Sequence, residues 1–281
     1  MRLRHTAAWA GVTAAALMVT SACGTDGAKS AAKAVDKADL IMAALTRATD
    51  RTENVGSAQV RMTTQAATTS PITMDGTFSW GHGFAFDVML DTKATQMQQL
   101  HATAKTRSVF VDGAYYYDID PQPSGPLKGK EWMKIDASAV FGDKGAQAFQ
   151  GNSGAGSPAL AMKGLKYANN VDDLGKETVD GQSATHYRAV VDKDHLGKFK
   201  EAFGDQNSLF GSTTGGGDSI TMDIWVGAKD LPVRVKERFG SMTVTMDFEK
   251  FGATAPIKAP PAAQTGDVTE LVKNSTAQQR G

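Results

Sequence analysis

The sequence predicts an α+β domain built on a large antiparallel β-sheet, and three observations support this prediction. Residues 219–251 alternate apolar and polar side chains with a period of two, over three successive segments. Asp-Gly and Gly-Ser turn signals separate several such segments, which is typical of β-hairpins. The same alternation recurs through much of residues 60–191. Because strands joined by short turns pair with each other, we expect one long up-and-down sheet.

The composition narrows the class of protein. The chain has 281 residues, of which 41% are hydrophobic, with 30 basic and 30 acidic side chains. This length suits one medium domain with flexible ends. A neutral charge balance argues against a nucleic-acid-binding protein, which normally has a clustered basic surplus. The single cysteine excludes an intrachain disulfide and a cysteine-based metal site.

The N-terminus has the layout of a secretory signal. Arg2 and Arg4 precede an apolar run that ends at Ala22 and is too short for a spanning helix. Cys23 follows directly, and cleavage before it with acylation of its sulfur is the bacterial lipoprotein pattern. Thr20 departs from the leucine that is usual three places before such a cysteine. The alternative is an ordinary signal peptide with an incidental cysteine.

The segments therefore divide the chain into four parts. We expect a signal peptide over 1–22, a lipidated flexible tether over 23–33, one domain over 34–259 and a polar, Pro-rich tail over 260–281. Lipidation would hold the domain on the outer face of the plasma membrane.

The elements of the domain follow from local periodicity. Apolar side chains at three-and-four spacing predict a helix over 34–47, and alternation predicts strands from Val60 to Ile135, including a weaker strand at Leu100–Ala104. Further predictions are a short helix over 137–149, a hairpin over 174–191, a helix over 192–203, a loop or lid over 204–218 and a meander over 219–251, in which Val233 shares a face with Val235.

Motifs for catalysis are missing from the sequence. It contains no nucleophile elbow, no phosphate-binding loop and no H-E-x-x-H pair, and Gly215–Gly217 is a lone glycine run. His101 and His186 are interpreted as surface histidines rather than a metal site. Two aspartate pairs are interpreted as solvated turn residues rather than a calcium site, namely Asp118 with Asp120 and Asp172 with Asp173. We predict no enzymatic activity, no metal and no cofactor.

One face of the predicted strands is apolar and rich in methionine, whose flexible side chain adapts to irregular contents. The plain interpretation is an ordinary core under helices. However, a long curved sheet with few covering helices leaves room for an apolar ligand. The candidate cavity-lining residues are Met62, Met74, Phe78, Trp80, Phe86, Val88, Met222, Ile224, Val235, Met242, Val244, Met246 and Phe248.

Four stretches together resemble a known family. They are the lipobox ending at Cys23, Asp223–Arg234, Val244–Phe251, and Ile257–Pro261 followed by Asp267-Val268. In this combination the chain resembles the LppX/LprG-type lipoproteins of actinobacteria, within the LolA-like lipoprotein-localisation superfamily. The resemblance implies a strongly curved, half-barrel antiparallel sheet with helices over its concave face. Several members bind acyl chains of lipids or glycolipids there, and others are periplasmic sensors.

Three hypotheses for function follow. The first is a membrane-anchored carrier of lipid or glycolipid, in which each methylene moved out of water contributes about 0.8 kcal/mol. Its transfer step would need the helix at 34–47 or the loop at 204–218 to swing aside. The second is a sensor or scaffold that binds another envelope protein. The third, ranked last, is a hydrolase with a cryptic site at His101 or His186.

Overall fold

The structure is a computed structural model that divides into two units, Met1–Ala38 and Asp39–Gly281, and the fold below is that of the second. The described residues are 25–66, 70–149, 158, 162, 165, 168, 170–192, 219–252 and 254–278. The expected signal peptide, the lipidation site Cys23, most of the helix expected at 192–203 and the loop at 204–218 lie outside them.

Within the described residues, the chain forms twelve strands and three helices. The helices are α1 (Thr25–Val55), α2 (Ala137–Phe149) and α3 (Thr269–Gln278). The strands are β1 (Ser57–Gln65), β2 (Ile72–Ser79), β3 (Ala85–Asp91), β4 (Lys105–Val111), β5 (Ala114–Asp118), β6 (Trp132–Asp136), β7 (Asn170–Val179), β8 (Gln182–Asp192), β9 (Ser219–Val226), β10 (Pro232–Phe239), β11 (Met242–Phe251) and β12 (Thr265–Asp267).

The strands form one curved, unclosed sheet in the order β12-β6-β5-β4-β3-β2-β1-β11-β10-β9-β8-β7. Neighbours are antiparallel except for β12 and β6, which are parallel. The central β1–β11 pair joins the two meanders, β1 to β6 and β7 to β11, into a single sheet. The predicted α+β fold class is therefore confirmed.

Helix α1 covers one face of the sheet, which we call the inner face. Ile41, Leu45 and Ala48 are buried and share one core cluster with residues from β1, β2, β3 and β8 to β11. Their three- and four-residue spacing puts them on one side of the helix. The Trp80 indole N–H donates to the Thr52 carbonyl at 2.8 Å, which fixes the end of α1 against the sheet.

Both ends of the domain differ from expectation. Helix α1 begins at Thr25, so the part of the expected tether that follows this residue is helical, in keeping with the high helix propensity of its alanines and lysines. At the other end, β12 and α3 occupy the segment expected as a Pro-rich tail. β12 pairs with β6 and so satisfies backbone groups at that edge of the sheet. Val268 packs in a second core cluster with Met133 and Leu127.

Two local predictions are wrong. Leu100–Ala104 is not a strand, because residues 92–100 form successive turns and the backbone N–H of Ala102 donates to the Asp120 carboxylate at 2.8 Å. Val233 does not share a face with Val235. A register shift between Pro232 and Arg234 puts Val233 against Trp225, on the outer face.

Gly76 allows β2 and β3 to approach closely on the inner face. A Cβ at this position would lie 2.3 Å from the Asp87 carbonyl oxygen and 2.8 Å from the Val88 Cα. Because backbone atoms of a paired strand cannot yield easily, Gly76→Ala is expected to lower the free energy of unfolding by about 1–3 kcal/mol. Chemical denaturation measures this loss. Thr77→Ala, on the other face of β2, is the control, and its free energy of unfolding should change by less than about 1 kcal/mol. Equal losses in the two variants would show that a Cβ at residue 76 does not clash with the backbone of β3.

Candidate functional site

The thirteen predicted lining residues lie mostly in one cluster on the inner face. Phe78, Trp80, Phe86, Val88, Met222, Ile224, Val235, Met246 and Phe248 are buried members of that cluster, and Met62, Met74 and Val244 are partly buried against it. Met242 is buried outside it. The register brings Met62 opposite both Met74 and Met246, so the methionines of three strands meet.

The inner face is not uniform from end to end. Ten of the thirteen side chains have almost no exposed surface, and they fill the interior as an ordinary core does. Met62, Met74 and Val244 keep part of their surface exposed. They lie toward the end of the sheet where β1 finishes and β2 begins. Among the thirteen predicted residues, partial exposure is therefore limited to that end.

We call this partly exposed area the open patch, and it crosses four strands of the inner face. Its members are Ile72 and Met74 of β2, Met62 and Thr64 of β1, Val244 of β11 and Glu237 of β10. Five of the six side chains are aliphatic, thioether or methyl-bearing. The surface that they form suits hydrocarbon rather than a polar solute.

Glu237 is the member of the open patch that sequence reasoning missed. It alternates with Val235 and Phe239 along β10 and pairs across with Met222 and Val244, which places its carboxyl group among apolar side chains. Burial raises the pKa of Glu237 to about 7. The signal was present in the sequence, because a period of two from Val235 leads directly to residue 237.

The outer face holds a polar cluster that the sequence did not predict, centred on His186. The His186 Nε2 lies 2.9 Å from Asp223 Oδ1, and its Nδ1 lies 2.9 Å from Glu177 Oε1. The ring stacks on Trp225 with centroids 4.1 Å apart. Both ring nitrogens therefore lie within hydrogen-bond distance of a carboxylate oxygen.

Asp223 is the buried carboxylate of this cluster. Burial alone would raise its pKa, but hydrogen bonds from Arg188, at 2.6 Å, and from His186 hold that pKa below its usual range. Glu177 likewise has a lowered pKa, because it accepts hydrogen bonds from the Trp225 indole and from His186. The cluster cross-links β7, β8 and β9.

The structure corrects the interpretation of the two histidines. His101 and His186 are both buried rather than exposed. His101 lies beside Asp120, with 3.5 Å between Nδ1 and Oδ1, whereas His186 contacts Glu177, Asp223 and Trp225. Because these contacts share no residue, the histidines do not form a common site. A group of three or more potential metal ligands is not found among the described residues.

A cleft of about 1100 Å³ lies at the opposite end of the sheet from the open patch. It is bounded by the end of α1, the β2–β3 and β4–β5 turns and residues 254–259. Its walls include Glu53, His82 and Lys258, and none of the thirteen predicted residues. Phe84 lines it and packs against Phe110, with ring centroids 5.8 Å apart. This mixed surface differs from the apolar cavity that the sequence predicts.

None of the helices in the described part of the chain combines the length and the apolar character needed to cross a bilayer.

Comparison with known proteins supports the fold. No protein-family model matches the chain. A 31.2 kDa protein of Streptomyces griseus, from the rplA–rplJ intergenic region, is 27% identical over 84% of this chain and 82% of its own length. A Streptomyces coelicolor protein named as a candidate lipoprotein is 28% identical over 82% of this chain and 75% of its own length.

Among solved structures, the lipoprotein LppX of Mycobacterium tuberculosis matches with a TM-score of 0.51. The match covers 78% of this chain and 99% of LppX at 12% identity. At that identity the likeness shows a shared fold, and the resemblance expected from the sequence is confirmed at that level.

Proposed function

We propose that this protein is a lipid-anchored, extracytoplasmic carrier that binds the acyl chains of a lipid or glycolipid on the open patch. The observation that supports the proposal is the partial exposure of Met62, Met74 and Val244 beside a fully packed apolar core. Each methylene that leaves water for this surface contributes about 0.8 kcal/mol, so a long chain binds without a charged anchor.

The chemistry of the patch favours hydrocarbon as its occupant. Methionine side chains are flexible and polarizable, so Met62 and Met74 can adapt to chains of different length or branching. The apolar side chains of such a surface recognise the number of methylenes in a chain.

Anchoring to the membrane is the second part of the proposal. Cys23 would carry the acyl group and hold the domain at the outer face of the plasma membrane. The similarity to a Streptomyces coelicolor protein named as a candidate lipoprotein supports this placement. The shared fold with LppX, itself named as a lipoprotein, agrees with it. We infer no catalytic role, since both nitrogens of His186 already face carboxylates.

Native mass spectrometry of the full chain, purified from its own membranes, tests the carrier. We expect co-purifying lipid on the wild-type protein and at least a ten-fold loss on Met74→Glu, because a carboxylate in the patch must be desolvated when a chain binds. Met89→Glu is the matched control. Met89 lies on the outer face of the adjacent strand and is 40% exposed, so its lipid content should not change.

Two results would overturn the carrier. One is wild-type protein that is free of lipid in repeated preparations. The other is equal lipid content in Met74→Glu and the wild type. Cross-linking in cells separates the carrier from the scaffold hypothesis, because a carrier yields lipid adducts and a scaffold yields a stoichiometric protein adduct.

A further inference from the structure

Glu237 introduces a carboxyl group into a surface that is otherwise apolar. Along β10, its neighbours on the same face are Val235 and Phe239, both buried. Across the sheet, Met222 of β9 and Val244 of β11 lie opposite it. The acid is thus bordered by apolar side chains on all four sides within the sheet.

Within the described residues, Glu237 has no hydrogen bond and no ion pair. The two cations next to it, Lys236 and Arg238, lie on the outer face, opposite Asp223 and Thr221 of β9. The other inner-face acid of the described strands is Asp173 at the β7 edge, and its carboxylate accepts the Gly175 N–H at 2.9 Å. Glu237 is therefore the acid on this face whose hydrogen-bonding capacity is unused.

Glu237 lies among apolar side chains but is only partly buried, so its carboxyl group is not fully enclosed. Some side-chain nitrogens and oxygens of the described residues are fully buried. Among these, Nδ1 of His101 is the atom without a hydrogen-bond partner. The oxygens of Glu237 also lack a partner but are not enclosed in this way, and the residue keeps part of its surface exposed. A group that binds on the open patch can reach them.

We propose that Glu237 is the polar anchor of the open patch and hydrogen-bonds a hydroxyl group in the head of an uncharged lipid whose chains lie on Met62, Met74 and Val244. This inference rests on the proposed lipid-binding function and names its ligand class. The acid accepts the hydroxyl proton or, when it is itself protonated, donates its own. The chains of the lipid then cover the apolar side chains of the open patch, and its hydroxyl group pairs with the carboxyl group.

A hydroxyl group fits this position better than an ammonium group. Burial raises the pKa of Glu237 to about 7, so near neutral pH the carboxyl group exists in both protonation states, and a hydroxyl group can pair with either. An ammonium group pairs well with the ionised acid alone. Transfer of a charged group from water into apolar surroundings also costs far more than transfer of a hydroxyl group.

The test uses three probes that carry the same two chains. They are 1,2-dioleoylglycerol, its 3-O-methyl ether, which lacks the hydroxyl proton, and 1,2-dioleoyloxy-3-dimethylaminopropane, which carries an ionisable amine. Competition between them is measured by native mass spectrometry on the full chain at pH 9, where Glu237 is ionised and can only accept a hydrogen bond, so that the ether oxygen cannot replace the hydroxyl group. The wild type is expected to prefer dioleoylglycerol over the methyl ether by about five-fold, the contribution of one hydrogen bond.

Glu237→Leu is expected to bring the ratio between dioleoylglycerol and the methyl ether to about one. Arg238→Gln, which removes a charge from the outer face of the same strand, is the control and should keep the wild-type ratio. An unchanged ratio in Glu237→Leu overturns the anchor while lipid binding stands. Preference for the amine overturns the hydroxyl assignment. If the wild type binds none of the three probes, the proposed function is wrong, and this inference is wrong with it.

Discussion

Asp223→Ala is expected to lower the free energy of unfolding by about 3 kcal/mol. Asp223 is 2% exposed and accepts hydrogen bonds from His186 and Arg188 through one oxygen. Its removal leaves the Nε2 of a buried imidazole without a partner, and breaking a buried ion pair from one side is strongly destabilising. The measurement is urea denaturation at pH 7. A loss of this size is a large fraction of the stability of a typical domain.

The matched control is Asp75→Ala on the same outer face. Asp75 also accepts a hydrogen bond from an arginine, Arg61, at 2.7 Å, but both side chains are about half exposed. Exposed pairs of this kind contribute about 0.2–1 kcal/mol, so this substitution should cost less than about 1 kcal/mol. If the two substitutions cost the same, the cluster around His186 does not stabilise the sheet.

The pH dependence of the Asp223 effect has a definite sign. The pKa of Asp223 is lowered in the folded protein, so its contribution to stability is present above the pKa of an unfolded aspartate, about 4, and is lost as the pH falls through the folded value. The difference between the wild type and Asp223→Ala should therefore shrink in acid. A difference that grows below pH 4 would contradict the assignment.

Most of the sheet could be predicted from the sequence because its signals are local. Alternation along β9 to β11 follows from one wet and one apolar face, and the hairpin turns follow from Asp-Gly and Gly-Ser pairs. The partner of β1 could not be predicted in this way. β1 and β11 are about 180 residues apart in the chain, and nothing local in either strand specifies their pairing. The parallel strand β12 was missed because three residues are too few for a periodic signal.

The candidate site was predicted only in part, because alternation shows which residues share a face but not what covers them. Phe78, Ile224 and Met74 all satisfy the same pattern, yet the first two are enclosed and Met74 is partly exposed. The difference depends on which segments pack over each side chain in the folded protein, which is a tertiary property. His186 was assigned to the surface because its partners come from β7 and β9, and only the pairing of those strands with β8 brings them to it.

We compare the free energy of unfolding of Glu237→Gln with that of the wild type at two pH values. The difference, variant minus wild type, is expected to be about 2–3 kcal/mol larger at pH 8 than at pH 5. Burial raises the pKa of Glu237 to about 7, well above that of an unfolded glutamate, about 4.3. Between these values the folded state holds a proton that the unfolded state has released. The stability of the wild type therefore falls as the pH rises through this window and levels off above pH 7, whereas a glutamine has no proton to lose.

The faces around Glu237 make this titration simple to assign. The residues opposite it on β9 and β11 are Met222 and Val244, so no charged side chain of those neighbouring strands compensates the ionised acid. Glu249→Gln, at an exposed position on β11, is the control, and its effect on the free energy of unfolding should be nearly constant from pH 5 to pH 8. Equal pH profiles for Glu237→Gln and the wild type would mean that Glu237 is well solvated. The carboxyl group would then have no desolvation to recover by binding a ligand, and the polar anchor would lose its physical basis.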